Sequence, residues 1–264
     1  MHKHFILTHG RSGSNFLVNT INLHPNLVNY GEVLGEWTLP YRLCNYKRCS
    51  DSDWSVFIDN LYSSSIYYYA AQVISLFSHL KKRKPSNFKT KNNITSIGIK
   101  DFAFLLKNRC LEDYLASNQD IKVIYLARKN QFNRYLSLLN MQITGQVKSE
   151  TGNATKVSKF SIDIEDLLSS LKTYEAEMFI AEDILKDVSP SRILRIYYED
   201  YFNNEENIQS TNRKVFEFLG VNSIDIYSSH KKILNNSLEE LILNFQEVKE
   251  ALAASPYNRY LEDI

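Results

Sequence analysis

Apolar residues fall in two patterns along this chain, short continuous runs and longer stretches at helical spacing. Residues 4–9 form the first run. The segment Gly10-Arg11-Ser12-Gly13-Ser14 follows, and then a helical pattern through Phe16, Leu17, Thr20 and Leu23 that Pro25 ends. A second run at 27–34 predicts a short strand carrying Gly31 and Glu32 at its end. Residues 54–80 repeat aromatic and aliphatic side chains at helical spacing, for one long helix or two shorter ones. The polar, basic stretch 81–93 predicts an exposed connection, and 94–104 reads as strand. The clearest strand is 121–127, apolar except for Lys122, leading into a helix over 131–143. Residues 145–159 have no periodicity and predict a mobile loop. A long amphipathic helix over 163–186, a strand over 192–198 and helices over 208–219 and 237–253 complete the chain.

Strands alternating with helices imply βαβ units, so the expected fold is one α/β domain over residues 1–264, with a central, mostly parallel sheet and helices on both faces. Ligands of such sheets sit beyond the carboxyl ends of strands. That rule selects the chain after His9, after Ala127 and after Tyr198.

Composition narrows the field. Thirty-one basic against 30 acidic residues, a net charge of +1, exclude a strongly cationic nucleic-acid binder at the level of the whole chain. The stretch 66–77 is interrupted by Gln72 and Ser75 and is too short to span a membrane, so no transmembrane segment is expected. Three cysteines cannot all pair within the chain and no apolar leader precedes residue 4, which makes a reducing, cytoplasmic setting the expectation. Cys44 and Cys49 lack a second close pair of Cys or His, and no metal is expected.

Between strand and helix, Gly10 to Asn15 offers backbone N–H groups and small hydroxyls at a positive helix N-terminus, a natural anion site. The same residues would also serve a tight βα turn with a serine cap. No lysine follows Gly13, so the loop is not a Walker A motif, and the dinucleotide Gly-x-Gly-x-x-Gly spacing is absent too. After the strand 121–127 come Arg128, Lys129, Arg134 and Ser137. Guanidinium groups with a helical hydroxyl suit a second oxyanion, although a solvated helix start would look the same. Two anion sites at neighbouring strand ends fit one ligand bearing separated phosphates.

With these residues in place the sequence resembles the sulfotransferases that use 3′-phosphoadenosine 5′-phosphosulfate (PAPS), in particular their bacterial carbohydrate and Golgi-type branches. Four blocks carry the resemblance, in order. They are Arg11-Ser12-Gly13-Ser14-Asn15-Phe16-Leu17 with His24-Pro25-Asn26 and Gly31-Glu32, Leu126-Ala127-Arg128 to Tyr135-Leu136-Ser137, Tyr197-Tyr198-Glu199-Asp200, and Phe218-Leu219-Gly220-Val221. The resemblance implies a three-layer, P-loop NTPase-like α/β sandwich. It assigns Arg11, Ser12, Gly13, Ser14 and Asn15 to the 5′-phosphosulfate of PAPS, Arg128 and Ser137 to the 3′-phosphate, and Tyr198 (or its neighbour Tyr197) to a position near the adenine. Lys231 and Lys232 fall roughly where a family loop closes over the 3′-phosphate. Asn15 replaces the more usual threonine, and the spacing from Arg128 to Ser137 is one longer than in the cytosolic branch, so Lys129 could share the role of Arg128.

The implied activity is sulfuryl transfer from PAPS, leaving 3′,5′-bisphosphate adenosine (PAP), to a hydroxyl of a carbohydrate or glycolipid. A sulfuryl group carries less negative charge than a phosphoryl group, so the missing Walker lysine and metal carboxylates are chemically consistent. Arg11 would stabilise the transferring group. Glu32 is the first candidate for the base that deprotonates the acceptor, with Glu36 and His9 as alternatives, and Lys100 resembles a family lysine facing the sulfate or the acceptor. The rival readings are a P-loop nucleotide kinase and a non-catalytic phosphonucleotide-binding protein.

Overall fold

Runs read as buried strands are covered on both sides. In the computed structural model, which describes residues 1–46, 53–81, 87–144, 159–226 and 238–261, the elements follow in chain order. They are β1 (His2–Thr8), α1 (Ser14–Leu23), β2 (Leu27–Asn29), α2 (Leu39–Tyr46), α3 (Asp53–Ser63), α4 (Ser65–Lys81), β3 (Ser96–Phe102), α5 (Ala103–Asn108), α6 (Tyr114–Ser117), β4 (Ile121–Ala127), α7 (Gln131–Thr144), α8 (Ile164–Leu185), β5 (Ile193–Tyr197), α9 (Tyr198–Tyr201), α10 (Glu205–Phe218), α11 (Leu238–Leu241) and α12 (Phe245–Ala253). The chain divides into two compact units, Met1–Ala127 with Met178–Ile226 and Arg128–Glu177 with Tyr227–Ile264.

The first unit holds a five-stranded sheet in the order β2-β3-β1-β4-β5, with every pairing parallel. It is the expected α/β sandwich. Successive strand residues face opposite layers, so Phe5 and Leu7 join Ile97, Ile99, Val123 and Tyr125 in one core. Ile6 joins Ile124, Leu126, Ile196 and residues of α1 and α10 in the other. Because Thr8 pairs with both Phe102 and Leu126, the carboxyl ends of β1, β3 and β4 lie level.

Several boundaries differ from the sequence pattern for physical reasons. The strand read over 27–34 stops at Asn29, whose side-chain oxygen accepts from Gly31 N–H (2.9 Å) and turns the chain out of the sheet. The strand read over 94–104 ends at Phe102, and α5, too short to display a helical period, begins at Ala103. The region around 54–80 holds two helices, α3 and α4, as the second of its two readings had it, whereas α11 and α12 replace the single helix over 237–253. The loop read over 145–159 falls outside the described residues except for Lys159, as do Lys231, Lys232 and Cys49.

The stretch 81–93 is not simply an exposed connection. Lys89 is buried, and its ammonium donates to the carbonyls of Asn22 (2.6 Å), His24 (2.8 Å) and Leu27 (2.6 Å), closing the end of α1 and the turn into β2. Burial pushes this amine down to about 8. His4 is also sealed in the sheet and burial lowers it to about 3, so it is neutral. Asn29 Nδ2 donates to its Nε2 (3.2 Å), which leaves Nδ1 to donate to Ser96 Oγ (2.8 Å).

In the second unit, Phe132, Tyr135, Leu136, Leu167, Leu171 and Val248 form a separate core. Arg134, read as an anion ligand, belongs to that core instead. Its guanidinium lies 3.9 Å from the Tyr174 ring centre and pairs with Glu177.

Replacing Lys89 with Met removes three donors from buried carbonyls and should lower unfolding free energy by about 3 kcal/mol. Urea denaturation checks this, and a change within experimental error would contradict the assigned role.

Candidate active site

Beyond β1 the chain makes a turn that only particular residues tolerate. Arg11 adopts the left-handed region at φ 63° and Gly13 at φ 82°. A non-glycine residue rarely adopts such a conformation, and strain of this kind collects at functional sites. At Gly13 a Cβ atom would also sit 2.5 Å from Phe202 Cε2 and 3.2 Å from Tyr198 Cδ2, so glycine is required twice over. Gly13 caps α1 without a side-chain hydrogen bond, and no acidic residue occupies the first turn. The positive helix end is therefore not neutralised by the residues that usually do so.

Ser12 is buried and its hydroxyl lies 2.6 Å from Thr8 Oγ1, which donates to Leu126 O (2.7 Å). With the single Thr8 hydrogen committed, Ser12 must donate inward, so its hydroxyl ties the loop to β1 and β4. Tyr198 packs against Phe202 with centroids 4.7 Å apart and the rings tilted by 37°, and Phe202 meets Phe16 edge-on. Tyr197 packs against the sheet core instead, so Tyr198 is the one beside the loop. Burial lowers the Arg11 guanidinium and the nearby Tyr198 acts in the opposite direction.

Three sequence-predicted residues converge next to this turn. Lys100, at 2% exposure, pairs with Glu32 Oε1 and donates to Asn15 Oδ1 at 3.4 Å. Trp37 Nε1–H donates to Glu32 Oε2 at 2.6 Å. Lys100 is thus no solvated strand-end lysine, and Glu32 is no solitary carboxylate. Of the alternatives, exposed Glu36 reaches Arg109 at 3.7 Å, and His9 is buried behind the loop.

Asp101 was not among the predicted residues, although a Lys-Asp pair ending an apolar strand was a usable signal. It is wholly buried, accepting from the N–H groups of Val33 (2.9 Å) and Leu34 (2.8 Å) through Oδ2 and from Phe102 N–H (3.2 Å) through Oδ1. It therefore anchors the segment that carries Glu32. Burial pushes its carboxyl up to about 6, opposed by those three N–H groups and assisted by Glu32.

Arg128 and Ser137 belong to the second unit, Arg128 half-buried before α7 and Ser137 half-buried on it. Asn130 Oδ1 accepts from Asn133 N–H (2.9 Å), and Gln131 Nε2 donates to the Arg128 carbonyl, which fixes the start of α7. Among the described residues, no group of three or more His, Cys, Asp or Glu is placed to hold a metal ion, and no helix is long and apolar enough to cross a membrane.

No family model matches this sequence, and neither does any curated protein. Among solved structures, the chain is similar to a sulfotransferase from Alicyclobacillus acidocaldarius at 13% identity and a TM-score of 0.47, covering 96% of this chain and 95% of that one. It is similar to the sulfotransferase domain from the curacin biosynthetic pathway at 14% and 0.44, covering 98% and 94%. It is also similar to the sulfotransferase domain of the Synechococcus PCC 7002 olefin synthase at 14% and 0.41, covering 84% and 74%. Likeness at this level leaves function to be argued from side chains.

Asp101 gives a pH test. Its proton is bound more tightly in the folded protein than at the usual 3.8, so its contribution to stability is complete below about pH 4 and lost as pH rises through about 6. The loss is on the order of 3 kcal/mol. Asp101→Asn should flatten that decline in urea midpoints measured across this window, and an unchanged slope would place the titration elsewhere.

Proposed function

We propose that this chain is a sulfotransferase that moves a sulfuryl group from PAPS to a hydroxyl of a carbohydrate or glycolipid. The observation that carries the reading is the contact of the Lys100–Glu32 pair, through Asn15, with the first turn of α1. An anion site and a proton acceptor in one place are what sulfuryl transfer requires.

The residues fit such a donor. An uncapped, non-acidic helix start and Arg11 suit the 5′-phosphate end, and Tyr198 offers a ring face beside the loop. Arg128 and Ser137 enter as ligands of the 3′-phosphate through the sequence resemblance. The donor supplies an activated sulfuryl group whose departure leaves a phosphate. Glu32 takes the proton of the acceptor hydroxyl as the acceptor oxygen forms its bond to sulfur and the bridging sulfur–oxygen bond to the phosphate breaks. Each carboxylate oxygen of Glu32 has a second lone pair available beside the bond to Lys100 or Trp37. Arg11 and the α1 N–H groups hold the charge that develops on the leaving phosphate, a contribution of about 3 kcal/mol per well-aimed donor. Lys100, fixed by Glu32 and Asn15, is directed at the same region.

Thermal stabilisation by nucleotides tests the donor. PAP at a hundredfold excess over its Kd should stabilise the protein by about 2.7 kcal/mol relative to the ligand-free form, and 5′-AMP or ATP at the same concentration should stabilise it less. Equal stabilisation by 5′-AMP would remove Arg128 and Ser137 from the reading, and a preference for ATP with magnesium would favour a kinase. Glu32→Gln should reduce acceptor-dependent PAP release by about 10²- to 10⁴-fold with PAP affinity nearly unchanged. Near-normal turnover would exclude Glu32 as base, whereas tight PAP binding with no transfer by the unaltered protein would indicate a binding protein.

A further inference from the structure

Trp37 is a large aromatic residue with 56% of its surface in water, yet its position is tightly fixed. Its indole N–H is held by Glu32. Its six-membered ring lies against Gly35, where a Cβ atom would be 2.5 Å from Trp37 Cε2 and Cζ2, so any other residue there would displace it. The turn between them is closed by Thr38, whose N–H (2.9 Å) and hydroxyl (2.8 Å) both donate to Gly35 O. Asp101 fixes the same turn at Val33 and Leu34. Beyond Trp37 lie Phe102, with centroids 6.3 Å apart, and Phe104, stacked on Phe102 at 5.7 Å and 8°. Lys100 Nζ is 4.9 Å from the Phe102 ring centre. The exposed ring of Trp37 thus stands at the carboxylate proposed as base, with Phe102 and Phe104 half-buried behind it.

From this arrangement we infer that Trp37, continued by Phe102, is the binding platform for the acceptor, and that the acceptor is a neutral saccharide presenting a pyranose ring. This rests on the proposed sulfuryl transfer and narrows its substrate. A pyranose has a face of C–H bonds and an edge of hydroxyls. The first matches an exposed indole face and the second needs polar groups at its rim. Glu32 Oε2 and the exposed Asn15 amide supply that rim, and a hydroxyl of a ring resting on Trp37 is next to Glu32. A purely apolar alcohol would gain most from an enclosed pocket, whereas Trp37 stands open to water. An anionic acceptor would meet the Glu32 carboxylate.

The chain has two tryptophans, Trp37 and the buried Trp54, so the experiment has its own reporter. In protein labelled with ¹⁵N at the indoles, two N–H signals are followed by NMR, with Trp37→Phe identifying the Trp37 signal. Lactose, cellobiose and chitobiose are titrated against phenol and cyclohexanol, with and without PAP. At least one disaccharide should move the Trp37 signal and leave that of Trp54 in place. Trp37→Ala should weaken that disaccharide at least tenfold with PAP affinity unchanged, whereas Trp37→Phe, which keeps an aromatic face, should retain most of the binding. The inference is overturned if no disaccharide moves Trp37, if only phenol or cyclohexanol does, or if Trp37→Ala binds the disaccharide as well as the unaltered protein. PAP binding without a saccharide response would sink the platform and leave the transferase reading standing. A saccharide response without PAP binding would sink the donor and leave the platform.

Discussion

A lysine sealed from water must have a partner, and the arrangement of the first unit follows from how Lys100 meets that demand. An unpaired buried ammonium costs several kcal/mol. Here the charge is met by Glu32, with Asn15 as a second acceptor. Those contacts join three segments far apart in sequence: strand β3, the turn after β2 and the first turn of α1. Because β1 and β3 are paired in register, Lys100 stands opposite Ile6 and the turn following Thr8 emerges beside it. The parallel sheet brings the chemistry together, and the ion pair holds it.

Around this pair the supporting contacts are mostly to backbone. Asp101 holds two N–H groups of the Glu32 segment, Ser12 binds the end of β1, and Lys89 closes the other end of α1. Buried polar groups satisfied in this way fix geometry more than they add stability, which is what a site with a strained Arg11 and an uncapped helix needs.

The sheet was legible in the sequence because strands covered on both faces are continuously apolar, as at residues 121–127. The turn at Gly10 to Asn15 was legible because glycines and small hydroxyls between a strand and a helix have few other uses. Lys100 and Glu32 were each singled out, but not as partners, since 68 residues separate them and only the strand register brings them together. Trp37 carried no signal, because an exposed tryptophan in a polar stretch looks the same whether fixed or free. Lys89 was read as part of an exposed connection, and Arg134 as an anion ligand or part of a solvated helix start. Their burial depends on carbonyls and on an aromatic ring supplied by other parts of the chain, which a local pattern does not contain.

The central claim is that the turn after β1 and the Lys100–Glu32 pair act on one bound donor. A crystal structure of the protein with PAP tests it most directly. The account predicts the 5′-phosphate against the first turn of α1 beside Arg11, with Lys100 and Glu32 facing it. A nucleotide bound away from that turn, or a 5′-phosphate held by other residues, would contradict it.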